Sequence, residues 1–167
     1  IGMEAYVAYE RMQDRRPGID DKPYHLTLLA ASTEGYYNLV KLATKAHLEG
    51  FYYKPRIDKA ALREHAKGLV ALSGCFTGEI GRAIQNKKID RAEHLIGEYR
   101  DIFGKDNFYL EIMPHFGYED TRPRNEALAE LSVKTGARLV ATNDVHYVRA
   151  EDADAQDILV SVQTGNR

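Results

Sequence analysis

The chain has 167 residues, a formal net charge of −2, 44% hydrophobic and 29% charged residues. That is ordinary for a globular protein and enough for a single domain, 1–167, with a real core. No run of eighteen apolar residues and no secretory leader is visible, the single Cys75 excludes an internal disulfide framework and fits a reducing, cytoplasmic setting, and the small charge confines any nucleic-acid binding to local basic clusters.

The opening, Ile1-Gly2-Met3-Glu4-Ala5-Tyr6-Val7-Ala8, reads as a strand already under way, so the chain is expected to be an internal piece of a longer protein. The polar stretch 10–22, with Pro17 and Gly18, reads as an exposed loop. A strand over 24–30 follows. Leu39, Leu42, Ala43 and Ala46 at helical spacing predict a helix over 36–47, ending at Gly50. An aromatic and basic loop, Phe51-Tyr52-Tyr53-Lys54-Pro55-Arg56, leads to a helix capped by Asp58 and running to about His65. Residues 68–73 form a buried strand closing on Gly74-Cys75. A short helix over 78–86 precedes a longer one capped by Asp90, with Ala92, Leu95, Ile96, Tyr99 and Phe103 on one face. Residues 108–113 form a strand ending at Pro114-His115, and 124–135 a helix with Leu128 and Leu131 inward. A strand over 139–142 runs into Asn143-Asp144-Val145-His146, and 151–162 forms the last helix.

Strands alternating with helices, the later ones as continuous apolar runs, are the signature of an α/β fold with a parallel sheet covered by helices. Both a closed barrel and an open doubly wound sheet fit. In either, functional groups gather at the carboxyl ends of strands. Cys75, His115, Asp144 and His146 collect there, with nothing comparable at the strand starts.

Asp144 and His146 are the leading pair. Two residues apart on an extended backbone, they point to one side, as metal ligands or an acid/base pair; a turn or helix-capping Asp followed by a surface His is the plainer alternative. Glu4 sits in an otherwise apolar strand, where an inward carboxylate needs a cation and an outward one is merely solvated. His25 reads equally as a hydrogen-bonded core residue or a ligand, and Cys75 as an inert buried thiol or a ligand at a strand end. His115 either touches the site or holds its loop. His47, His65 and His94 read as surface residues, as do Lys87, Lys88, Arg122 and Arg124. Lys54 and Arg56 beside Tyr52 and Tyr53 suit a phosphate and a stacked base, or a solvated loop. Mixed nitrogen, oxygen and sulfur donors favour zinc, with manganese and iron left open. Neither a Walker-type phosphate loop nor Gly-x-Ser-x-Gly is present.

Several motifs occur in fixed order: Gly2-x-Glu4-Ala5-Tyr6, Tyr24-His25-Leu26-Thr27-Leu28-Leu29-Ala30, Gly35-Tyr36-x-Asn38-Leu39, Glu49 through Asp58, Leu72-Ser73-Gly74-Cys75, and Ala141 through Tyr147. Together they resemble the polymerase-and-histidinol-phosphatase (PHP) domain at the front of bacterial DNA polymerase III alpha subunits. The resemblance covers essentially the whole chain and implies a distorted (β/α)7 barrel, N-terminally truncated here, with up to three metals at its mouth. It implies that Glu4 bridges two metals, that His25 and Cys75 complete the third site, and that Asp144 binds the first metal and His146 the second. Arg56 and His115 are then expected at substrate phosphate. The family's opening His-x-His motif and two further ligands would lie upstream of Ile1, so two of the three sites are expected to be incomplete within this stretch. Met113-Pro114-His115-Phe116-Gly117 also departs from the family's Asp-His-Gly, keeping only the His.

The activity the resemblance implies is metal-dependent 3′→5′ exonuclease or phosphodiesterase chemistry, with Asp144 and His146 catalytic and Zn or Mn as the cofactor. The isolated piece is expected to be weakly active or inactive. Nucleotide polymerisation with Mg would belong to downstream domains, and the partners to DNA, the sliding clamp and a proofreading exonuclease subunit. A non-catalytic platform for that subunit is the alternative, and a stand-alone phosphoesterase such as a histidinol phosphatase a third reading.

Overall fold

β1 (Gly2–Val7) sets the two faces of the sheet. Successive side chains alternate, so Ala5 and Val7 are buried on one face while Glu4 and Tyr6 point to the other. The computed structural model of the chain describes residues 1–113, 121–143 and 145–165. Its elements run β1, β2 (Tyr24–Ala30), α1 (Thr33–Leu48), β3 (Arg56–Ile57), α2 (Lys59–His65), β4 (Leu69–Leu72), α3 (Glu79–Gln85), α4 (Ile89–Phe103), β5 (Phe108–Ile112), α5 (Thr121–Thr135), β6 (Arg138–Ala141), a 3-10 turn (Ala150–Asp152) and α6 (Ala153–Thr164).

The six strands form one sheet in the order β3-β1-β2-β4-β5-β6. β4, β5 and β6 are parallel, as their apolar runs predict, and β3 is parallel to β1. β2 departs from a wholly parallel sheet, being antiparallel to both β1 and β4. The cause is local. The β1–β2 connection carries no crossover helix, so the chain returns beside β1 in the opposite direction. Among the described residues the sheet is open, with β3 and β6 at its edges.

Helices α1 to α5 cover the face of Ala5, Val7, Leu26, Leu28, Ala71, Phe108 and Leu110 and form one core with them. Ser32 caps α1 by accepting a hydrogen bond from the Gly35 amide at 3.1 Å, which starts that helix earlier than its apolar spacing suggests. Asp58 caps α2 as its position predicts, through Oδ1 and the Ala61 amide at 2.9 Å. α4 begins one residue before Asp90, with Lys88 at the cap, so Asp90 sits in the first turn. Among the described residues no helix is long and apolar enough to cross a membrane.

The loop between β1 and β2 is less exposed than its composition implies. Met12 and Asp20 are buried. The loop is tied down by Asp58, whose Oδ2 accepts from the Met12 amide at 3.1 Å, and by Arg56.

Candidate metal centre

Glu4 lies on the sheet face away from the helices, opposite Thr27 of β2; His25 lies on the same face, opposite Tyr6. Because β2 is reversed, its first residues reach the rim where β1 and β4 end. That is how a histidine near a strand start joins candidate ligands from other strands, correcting the view that strand starts contribute nothing. The Glu4 carboxylate pairs directly with His25 Nδ1.

Cys75 arrives by a sharp turn. Gly74 has φ +78°, and a Cβ there would sit 2.8 Å from the His25 carbonyl oxygen, so both the turn and the close approach require glycine. The following loop folds back onto the start of β2, where the His25 amide donates to the Thr77 carbonyl at 3.3 Å. Cys75 Sγ then lies 3.9 Å from His25 Nδ1 and 3.1 Å from Thr77 Oγ1. One donor atom each from Glu4, His25 and Cys75 lie within 4.8 Å of one another.

Electrostatics follow from that packing. The hydrogen bond to Cys75, then that to Glu4, holds the His25 imidazole in its charged form up to about pH 9, against partial burial. The hydrogen bond with His25 lowers the Glu4 carboxyl; burial opposes this, and charge on His25 and His146 adds to it. Burial pushes the Cys75 thiol up, but hydrogen bonds to His25 and Thr77 outweigh it and the net shift is down. With no cation present, a protonated imidazole thus stands between a carboxylate and a thiol inclined to ionise. Such a set gathers positive charge, and carboxylate, imidazole and thiolate together suit a divalent cation with zinc-like preferences. The trio fits the metal its chemistry implies.

A cavity of about 340 Å3 opens beside the trio, lined among others by Glu4, Cys75, Glu111, Thr142, Asn143 and Val145. It brings Thr142, Asn143 and Val145, just past β6, against the candidate ligands Glu4 and Cys75. Asp144 lies outside the described residues, although both its neighbours line this cavity. His115 also lies outside them. His146 is close enough to act on the Glu4 carboxyl. Tyr6 stands edge-on to His25 with ring centroids 5.0 Å apart, and Lys54 Nζ lies 5.6 Å from the Tyr6 ring centre.

Arg56 is not where a phosphate ligand would be. It is fully buried, and its guanidinium donates to the carbonyls of Gly50 (3.1 Å), Asp20 (3.0 Å), Met12 and Asp14 (both 2.8 Å). Its charge is spent closing the β1–β2 loop. Two residues expected at the surface are also buried: His65, on the inner side of α2, and Arg124, whose guanidinium lies 4.3 Å from the Phe76 ring centre. Lys87, Lys88, His47, His94 and Arg122 are exposed as expected. The residue that sequence reasoning missed is Glu111, a buried carboxylate in the cavity wall. The signal was available, since it interrupts an apolar strand just as Glu4 does.

The family model described as PHP domain matches residues 1–115, the stretch that supplies Glu4, His25 and Cys75. The DNA polymerase III subunit alpha of Thermus aquaticus is 51% identical over 166 residues, 98% of this chain and 13% of that protein. The subunits of the same name from Treponema pallidum (strain Nichols) and Helicobacter pylori (strain J99) are 42% and 43% identical, over 98% and 99% of this chain and 14% of theirs. The chain therefore spans about one seventh of the length of these relatives.

Proposed function

The chain belongs to the PHP domain family, and on that premise we propose that it is part of the PHP domain of a bacterial replicative DNA polymerase, hydrolysing phosphodiesters in a metal-dependent 3′→5′ exonuclease reaction. The observation that carries this reading is the convergence of Glu4 of β1, His25 of β2 and Cys75 of the turn after β4 on one point beside Thr142, Asn143 and Val145. Structural pairs of charges need no thiol; a thiol, an imidazole and a carboxylate sharing one point are better explained by a cation.

In this reading Glu4, His25 and Cys75 would hold one cation, Glu4 would also serve a second, and Asp144 and His146 would serve the remaining sites. A divalent cation supplies Lewis-acid stabilisation of charge on phosphorus oxygens and eases ionisation of water near neutral pH. The chain's own part is to hold the donors. Thr77 and His25 fix the Cys75 sulfur, and the sheet fixes Glu4 against His25. Zinc suits the thiolate best, with manganese next. The distorted (β/α)7 barrel belongs to the same proposal. It is supported by the parallel β4-β5-β6 run, with helices on one face of the sheet and donors at one rim. DNA as substrate, a cytoplasmic location, and clamp and exonuclease-subunit partners come with the polymerase context.

The test is exonuclease activity of the full-length polypeptide on a 3′-recessed or mismatched DNA end, with metal content measured on the same sample. Zinc or manganese in stoichiometric amount, with cleavage abolished by Asp144→Asn, is the expected result. A second reading, the non-catalytic platform, is favoured by one observation: Ile158, Leu159 and Val162 of α6 are 62–77% exposed, an apolar surface suited to a protein partner. A well-folded, metal-free, inactive polypeptide would support that reading.

A further inference from the structure

The cavity beside Cys75 contains a carboxylate that the trio does not use. Glu111 lies on β5, on the face opposite Phe108 and Leu110, and is only 4% exposed. A carboxylate buried to that degree needs hydrogen-bond donors, and two of its donors come from opposite sides. Its Oε2 accepts from the Gly74 amide at 3.1 Å, and its Oε1 from the Thr142 hydroxyl at 2.7 Å. Its own amide donates to Ser73 Oγ at 2.9 Å.

The partners' places in the chain give these bonds their meaning. Gly74 directly precedes Cys75. Thr142 directly precedes Asn143-Asp144-Val145-His146. In the sheet, β5 lies between β4 and β6, so a side chain at its end reaches both neighbours. One carboxylate thus ties the turn that carries the thiol to the segment that carries the remaining ligands. Among the described residues no backbone pairing couples β4 to β6, because β5 separates them.

We propose that Glu111 is a positioning residue of the metal centre: its carboxylate sets the spacing between the Cys75 turn and Thr142 at the end of β6, from which the chain runs on to His146, so that donors following β4 and β6 address the same cations. The proposal rests on the reading that these residues hold cations. Without the tie, each segment must be ordered at the moment of binding, and that cost appears as lost affinity. Partners that orient ligands in this way typically govern about 10–100-fold in metal affinity.

The experiment is a Co(II) titration of the full-length polypeptide, followed by the thiolate-to-cobalt charge-transfer absorption, with a parallel denaturation curve of each metal-free variant. Glu111→Ala is expected to bind Co(II) about 10–100-fold more weakly. Glu111→Gln is expected to bind like the parent, because its amide oxygen can accept from Gly74 while its NH2 donates to the Thr142 oxygen. Thr142→Val cuts only the β6 side; it is expected to weaken binding while keeping the charge-transfer band, and it serves if Glu111→Ala does not fold. Parent-like affinity in Glu111→Ala or Thr142→Val would overturn the proposal, as would a lowered denaturation midpoint with unchanged affinity. Glu111→Gln as weak as Glu111→Ala would also overturn it, showing that the charge at this position, and not its geometry, acts on the cation. A parent polypeptide that binds no Co(II) at all would instead remove the cation reading on which the proposal stands.

Discussion

At the scale of single residues, the site is a set of chemical exceptions to its surroundings. Glu4 interrupts an apolar strand, His25 is the second residue of another and Cys75 follows a glycine held at φ +78°. Those exceptions were legible in the sequence because each breaks a hydrophobic pattern. Their meeting point was not, since a periodicity of two says which face a residue takes but not which strand lies alongside. The charge state of His25 gives a first prediction. Its imidazole is raised from 6.5 to about 9 by Cys75 and Glu4. In the metal-free protein, the stability it contributes is therefore fully present below pH 6.5 and lost as pH rises through about 9. A cation competes with that proton, so apparent Co(II) affinity should climb across the same interval. Titrations at several pH values check this; affinity that is flat across that interval would show that His25 is no ligand. Gly74→Ala gives a second. The left-handed backbone costs a non-glycine residue about 1–2 kcal/mol, and the new Cβ would press on the His25 carbonyl. Both the denaturation midpoint and the Cys75-to-cobalt absorption should fall, whereas a variant with parent-like values of both would mean that the turn relaxes freely.

Elements show where local pattern governs and where it yields. The apolar faces of α1, α4 and α5 are read directly from residue spacing, because burying a helix stripe is a local requirement. The direction of β2 is not, because an alternating strand pairs equally well either way and only its connection decides. The loop before it carries a similar lesson. Its charges suggest exposure, yet Arg56 passes beneath it and turns a basic residue into a strut. Arg56→Ala should therefore cost about 3 kcal/mol of stability, through carbonyls left without their donor, while leaving the folded protein's metal affinity unchanged. A chemical denaturation curve measures the first and a metal titration the second. If stability were unchanged and only the KM for DNA rose, Arg56 would be a substrate contact after all. Asp58→Ala should cost more than the ~1 kcal/mol of an ordinary helix cap, because the same carboxylate also holds the Met12 amide; denaturation again provides the comparison, with Ser32→Ala as the ordinary cap.

For the molecule as a whole, the sheet's order and its one reversed strand explain how donors far apart in sequence reach one rim. β1, β2 and β4 are neighbours and supply the trio; β5 and β6 extend the rim to the cavity wall formed by Glu111, Thr142 and Asn143. The family resemblance was legible from motif order alone, because several distinct segments in one fixed sequence order are a specific pattern. The open sheet was not, since nothing in strand-by-strand patterning states whether the last strand meets the first. X-ray absorption at the zinc edge of the zinc-loaded full-length polypeptide tests most directly whether this rim holds a cation. A sulfur neighbour at about 2.3 Å alongside nitrogen and oxygen, lost in Cys75→Ser, is the expected spectrum. Zinc bound only by nitrogen and oxygen, unchanged by Cys75→Ser, would contradict the assignment of Glu4, His25 and Cys75 as its ligands.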